Sequence, residues 1–249
     1  MLTPALLGLG LLAGFMIGCV GVGGVILVPV MTLGCGIPIG TAAAAAMMGY
    51  IATGASGTLL FGRSGAVDRK LSLALCIGAA PGALVGAWAV QKANPIVVQM
   101  LIAALAAGAG LNSLSGGARV RARPFALGAT CAGLLGAAVG LISALTGTGG
   151  PVILVPLLMW LGVPVLAAVG LAQTIQLPVA GLATAGAYLI GSLDTQIGAQ
   201  LTVGLVAGSI AGARIAHSVT EKTLHTIAAV ILVTTGTIVA IRLVSVNFS

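Results

Sequence analysis

The sequence predicts an all-α polytopic membrane protein made of two inverted repeats, each a broken or re-entrant helical hairpin followed by three transmembrane helices. Three observations carry that reading. The chain has 249 residues, 59% hydrophobic and only 5% charged, whereas soluble domains carry about 25% charged residues. Apolar runs long enough to span a bilayer, about 18 residues or more, recur through almost the whole length. The chain also matches itself at an offset of 126 residues. Ten basic and three acidic residues cannot solvate a globular surface. A soluble enzyme, a secreted disulfide domain and a nucleic-acid binder are therefore excluded.

The repeat is carried by glycine. Gly10, Gly14, Gly21, Gly23 and Gly24 fall on Gly136, Gly140, Gly147, Gly149 and Gly150, and Gly36-x-Pro38 falls on Gly162-x-Pro164. Gly65-x-x-Asp68 matches Gly191-x-x-Asp194, and Gly78, Gly82 and Gly86 match Gly204, Gly208 and Gly212. Eleven of the 17 glycines after residue 123 have a glycine partner, where chance gives roughly three. The repeats are residues 1–118 and 124–249, joined by a basic connector at 119–123.

The first repeat reads as apolar segments at about 2–20, 24–35, 38–61, 71–90 and 95–115, and the second at about 124–146, 150–161, 165–190, 197–217 and 223–244. Segment one resembles a signal peptide, but no basic residue precedes it and it has a twin in the second repeat. Segment two is too short: twelve residues reach about 18 Å, against a hydrocarbon core of about 30 Å. It follows Gly21–Gly24 in one repeat and Gly147–Gly150 in the other, both poor helix formers. A half-helix that starts inside the membrane after a glycine break is expected in each repeat.

If segments one and two return the chain to its starting side, each repeat crosses an odd number of times and the two are inverted. That arrangement collects Arg63, Arg69, Lys70, Arg119, Arg121, Arg123, Arg214 and Lys222 on one face, with Lys92 and Arg242 opposite. A parallel arrangement divides them seven to three, so the positive-inside rule favours inversion, with both termini outside. The partner is then a lipid bilayer, with a homodimer left open; the net charge of +7 argues only weakly for an anionic substrate.

The duplicated Gly-x-Gly-Gly-x-x-x-Val-Pro pattern, Gly21–Pro29 and its copy Gly147–Pro156, resembles that of the TauE/SafE sulfite exporter family. The resemblance covers the whole chain. It implies a bacterial inner-membrane permease for a small anion, a sulfur oxyanion such as sulfite or an organosulfonate, working by alternating access. Pro151 is extra in the second copy, so the two half-sites are not equivalent residue for residue.

Candidate binding residues follow from the breaks. Unpaired N–H groups at a half-helix start sit at the positive end of the helix dipole and attract anions. Inverted-repeat transporters place such ends at the midplane. The expected anion site is therefore Gly23, Gly24, Gly149 and Gly150, with hydroxyl donors from Thr146 and Thr148 and a weaker candidate in Ser143. Gln173 and Gln176 share a helix face and either bind substrate or bridge helices. Their counterparts in the first repeat are Met47 and Tyr50, with Thr53 a turn beyond.

The Gly-x-x-x-Gly runs at 78–86 and 204–212 read as packing devices, and Asp68 and Asp194 as helix N-caps. Arg119, Arg121 and Arg123 read as topology determinants, and His217, Glu221, Lys222 and His225 as solvated loop residues. Cys19, Cys35, Cys76 and Cys131 show no CxxC spacing and read as small buried hydrophobes. No cofactor and no metal are expected. The three acids lie at loops, which argues against a carboxylate-relayed cation carrier. Two rivals stand beside the carrier: a passive anion channel using the same helix ends, and an intramembrane serine protease. The latter rests on Gly54-Ala55-Ser56-Gly57, which matches the rhomboid Gly-x-Ser-Gly. Its base would have to be His217 or His225, near a loop.

Overall fold

Pro29 has no N–H to give to the carbonyl of Val25, and the second apolar segment changes its winding there. It is α-helical from Gly24 to Pro29 and π-helical from Val30 to Gly34. The computed structural model describes residues 3–21, 23–63, 68–114, 128–161, 163, 165–216, 230 and 237. Its helices are α1 (Thr3–Val20), α2 (Gly24–Pro29, with the π-helical Val30–Gly34 after it), α3 (Ile39–Arg63), α4 (Arg69–Lys92), α5 (Pro95–Leu114), α6 (Ala129–Thr146), α7 (Pro151–Trp160), α8 (Val165–Ile190) and α9 (Thr195–Ala216). The described residues contain no strand. The connector arginines 119, 121 and 123, the 217–223 loop, His225 and nearly all of the segment at 223–244 lie outside the described residues.

Among the described residues, five helices are long and apolar enough to cross a membrane: Ile39–Gly62, Arg69–Lys92, Ala129–Thr146, Ala167–Ile190 and Thr195–Ile215. α4 and α9 begin two residues earlier than their apolar runs at 71 and 197. The cause is capping: Asp68 accepts from the N–H groups of Lys70 (2.8 Å) and Leu71 (3.3 Å). Asp194 does the same for Gln196 (2.9 Å) and Ile197 (3.1 Å). Each carboxylate starts its helix through polar residues that hydropathy alone leaves in the loop.

Long-range packing runs through the glycine ladders. A methyl group at Gly78, Gly82 or Gly86 of α4 would strike the carbonyl of Gly133, Ala137 or Leu141 of α6. At Gly204, Gly208 or Gly212 of α9 it would strike the carbonyl of Leu7, Leu11 or Phe15 of α1. Both pairs run in the same direction and touch backbone to backbone, the close approach that holds helices together where lipid is as apolar as leucine. α4 also runs along α8: Cys76 Sγ donates to Thr174 O (3.7 Å), Ala87 meets Gly186, and Gln91 Nε2 donates to Ser192 Oγ (2.9 Å). α9 runs along α3, with Met48 on Gly198 and Gly49 on Thr202 and Leu205. α3 and α8 cross in opposite directions, Gly57 meeting Gln173 and Gly54 meeting both Gln173 and Gln176. These two helices form the centre; α1, α4, α6 and α9 flank them and expose Leu11, Leu73, Ile77, Leu134 and Val203 outward. Cys131 is also exposed, contrary to expectation, because it lies on the outward face of α6.

Candidate functional site

Both broken hairpins turn on a left-handed glycine. The Gly21 N–H donates to Ile17 O (2.9 Å) at φ +77°, and the Gly147 N–H to Ser143 O at φ +71°. A side chain is strained in that conformation, so glycine at these two positions is what ends α1 and α6 and sends the chain back. In the second break Thr148 N–H also donates to Ser143 O (3.1 Å). Gly150 then caps α7, accepting from Ile153 (3.1 Å) and Leu154 (3.0 Å). The N–H groups of Gly149, Gly150 and Val152 find no acceptor among the described residues.

The breaks touch each other. A Cβ at Gly24 would collide with the Thr148 carbonyl, and Gly21 lies against Pro151 and Val155. Tyr50 covers the second break, its ring lying where a Gly149 side chain would go. Ser143 Oγ and Ile175 flank Gly150. Thr146 and Thr148 share a hydrogen bond between their hydroxyls (3.0 Å), and Thr146 also donates to Ile142 O (2.7 Å). Gln176 Nε2 donates across to Thr53 Oγ1 (3.0 Å) and Tyr50 O (3.4 Å). Tyr50 is the twelfth residue of the 25 in α3 and Gln176 the twelfth of the 26 in α8, so this crossing is halfway along both central helices.

Two expected residues stand apart. Gly23 packs on Ala13 and Ile17 of its own hairpin. Gln173 lays its amide on Gly57, on the far side of the Gln176 crossing from the glycine breaks. Every buried polar side chain among the described residues is uncharged. Four of their atoms near the crossing have no hydrogen-bond partner: Tyr50 OH, Ser143 Oγ, Gln173 Oε1 and Gln176 Oε1. A buried polar atom left unpaired costs about 1–3 kcal/mol.

One feature escaped the sequence. A small pocket with room for about one water molecule, about 10 Å³, lies where α3 begins and α4 and α8 end, lined by the buried Ala43, Met47, Ala87, Ala144, Ala183 and Ala187. Gln91 spans the mouth, lying on Gly40 and bonded to Ser192. The floor reaches the second break, since Ala43 abuts Gly147. The alanine run at 42–46 was its only trace in the sequence, and alanine inside a membrane helix reads as packing.

A family model described as sulfite exporter TauE/SafE matches residues 6–239, nearly the whole chain. The chain belongs to that family. No curated protein and no solved structure matches it. TauE/SafE is a transporter family, so the protein is a transmembrane transporter for a small anion and not an enzyme. The Ser56 hydroxyl of the protease-like motif donates to Thr53 O (2.9 Å), one turn back in its own helix, and both histidines lie outside the described residues. Family membership accounts for the neutral, amide- and hydroxyl-lined interior: it can receive a small anion without a carboxylate to repel it or a fixed cation to hold it.

Proposed function

We propose that the protein carries sulfite, or a related sulfur oxyanion or organosulfonate, across a bacterial inner membrane by alternating access around a site between the two broken hairpins. The observation that carries this reading is the contact of Gly24 with Thr148 beside the unpaired Tyr50 and Ser143 hydroxyls. A helix start presents about half a positive charge. The Gly149, Gly150 and Val152 N–H groups, without an acceptor among the described residues, are the donors that would hold an oxyanion without lysine or arginine.

Helix directions support inverted repeats. α1 runs with α9 and α9 with α3, while α6 runs with α4 and α4 with α8, and α3 opposes α8. The counterpart helices α1 and α6, α3 and α8, and α4 and α9 therefore point in opposite directions. Arg69, Lys70 and Arg214 then share one end of the bundle, the cytoplasmic one by the positive-inside rule. Lys92 lies at the other, its ammonium 4.3 Å over the Trp88 ring, a pairing suited to a membrane interface.

The test is flux. Purified protein in liposomes is offered sulfite, thiosulfate, sulfoacetate and sulfate separately. Saturable flux of at least one, accelerated by the same anion on the opposite side, is the expected result. Non-saturating flux without exchange makes the protein a channel, and no flux of any of the four removes the substrate class.

A further inference from the structure

We propose that the site at the second break selects its anion by charge: it takes singly charged oxyanions, hydrogensulfite and monosulfonates, and refuses the doubly charged sulfite, sulfate and thiosulfate. The Tyr50 and Ser143 hydroxyls are the side-chain donors to the bound ion. This rests on the carrier reading above and adds to it the charge state that is carried.

The argument starts from where charge is missing. Residues 1–62 hold no acidic or basic side chain, and residues 124–213 hold one, Asp194, at the start of α9. Those stretches supply α1, α2, α6, α7, α8 and all of α3 except Arg63, its last residue. The described basic side chains, Arg69, Lys70, Lys92 and Arg214, are all exposed at helix ends. No full positive charge therefore stands at the break. What remains there is the start of the ten-residue α7, worth about half a charge, and two fully buried hydroxyls without partners, Tyr50 OH and Ser143 Oγ. The Ser143 Oγ lies 3.9 Å from where a Gly150 Cβ would stand, and the Tyr50 ring lies on Gly149.

Such a site treats one and two charges differently. The cost of taking an ion out of water rises with the square of its charge, so a dianion costs about four times as much as a monoanion of its size. Attraction to a fixed partial charge rises only in proportion, so it no more than doubles. Half a charge and neutral hydroxyls can offset the first cost and fall short of the second. Gln176 Oε1, buried and unpaired at the crossing, is an acceptor only, and a second negative charge meets that oxygen with nothing to donate. Carrying hydrogensulfite moves one proton with every sulfite: the ion is protonated in water before it binds and loses that proton in water after release.

The substrate, not the protein, then sets the pH dependence. The titratable side chains on the helices around the break are Tyr50, Tyr188, Cys19 and Cys131, with Cys35 beyond the π-helical turn. Tyr188 and Cys131 are exposed, and Cys19 donates to Gly212 O (3.2 Å). Ordinary phenols and thiols stay protonated below about pH 8, so the site keeps its charge where hydrogensulfite loses its proton.

The experiment separates substrate charge from pH. Purified protein in liposomes, with the membrane potential clamped by potassium and valinomycin, is given methanesulfonate, sulfite, sulfate or thiosulfate between about pH 6 and pH 8. Methanesulfonate carries one charge throughout and should show one KM at every pH. The KM for total sulfite should rise by up to about tenfold per pH unit once the dianion dominates, yet stay constant when counted as hydrogensulfite. Sulfate and thiosulfate should have kcat/KM at least about tenfold below methanesulfonate. Tyr50→Phe keeps the ring on Gly149, and Ser143→Ala keeps the carbonyl that accepts from Gly147 and Thr148. Each should raise the methanesulfonate KM by about 10–100-fold at parental melting temperature. Either dianion within tenfold of methanesulfonate, or a total-sulfite KM that ignores pH, overturns charge selection while leaving the carrier standing. Parental KM in both variants overturns the two donors. No saturable flux of any of the four anions removes the carrier reading and this inference with it.

Discussion

Replacing Gly24 by alanine asks whether the two broken hairpins must touch. The added Cβ would meet the Thr148 carbonyl head on, with the carbonyl carbon at 2.9 Å and Cα at 3.0 Å. These are backbone atoms, so no rotamer change relieves the clash. Restoring ordinary carbon contact needs α2 to retreat from the second break by about 1 Å. Overpacking of this kind costs about 1–3 kcal/mol. If the contact frames the anion site, that cost falls on binding and raises KM for sulfite by about 5–150-fold. Gly150→Ala is intolerable for another reason. Its nearest neighbours, Ile175 Cγ2 at 3.5 Å and Ser143 Oγ at 3.9 Å, leave room, but φ is +105°, a conformation that costs a side chain about 1–3 kcal/mol. Gly62→Ala, with nothing near it, is the control and is neutral or stabilising by up to about 1 kcal/mol. Initial rates of sulfite flux into liposomes, with melting curves for each variant, provide the assay. Parental KM in both Gly24→Ala and Gly150→Ala, at parental stability, would refute a site at the breaks.

Changing Gln173 and Gln176 together to leucine removes the bonds to Thr53 and Tyr50 and both unpaired carbonyl oxygens. Expression and insertion should persist, with a stability loss of about 1 kcal/mol, while flux is abolished; parental flux assigns the pair to packing. Asp68→Ala and Asp194→Ala each delete two cap hydrogen bonds and should each lower stability by about 0.5–2 kcal/mol, measured by thermal unfolding in detergent, with KM unchanged. Gly82→Leu in α4 and Gly208→Leu in α9 each drive a side chain into the backbone of the partner helix. Loss of folded protein on size-exclusion chromatography is expected for both, and a folded, active Gly82→Leu would show that the ladder is not a contact. Cysteines at the counterpart positions 69 and 195 should label from opposite sides of the membrane, and labelling from the same side would exclude inversion.

Glycine made the architecture legible, because a glycine inside an apolar run is informative in a way that a leucine is not. The Gly-x-x-x-Gly runs of α4 and α9, the half-length second segments and the two N-caps could be read from spacing; that α4 packs on α6 and α9 on α1 could not. Helix starts at Arg69 and Thr195 could not, since Arg69-Lys70 and Thr195-Gln196 are polar and only the cap geometry makes them helical. The site was legible as a set of residue types and not as an arrangement. Spacing puts Gln173 and Gln176 on one face, yet Gln176 reaches Tyr50 while Gln173 lies on Gly57, because the antiparallel partner presents a different residue at each turn. The small pocket beside Ala43 and Met47 was hidden for the same reason: a void depends on what the opposing helix lacks.

The meeting of Tyr50 and Gln176 explains why the repeat lies within one chain and is inexact at its centre. These residues are counterparts at the 126 offset, and they meet at the crossing, Gln176 Nε2 donating to Tyr50 O. Where a structural repeat crosses its own copy, identical residues would face each other as in a symmetric dimer. Two tyrosines at this crossing would supply no amide donor for the partner helix, and two glutamines would remove the ring that covers Gly149. Fusion of the halves lets one position hold a ring with a free hydroxyl and its counterpart an amide that bridges to the other helix. The breaks follow the same logic, Pro151 standing at the start of α7 without an equivalent in α2. The packing faces keep their glycines in both repeats because both copies meet the same backbone. The central face departs from the repeat because there the two copies meet each other, and a ring and an amide together make a contact that two identical residues would not.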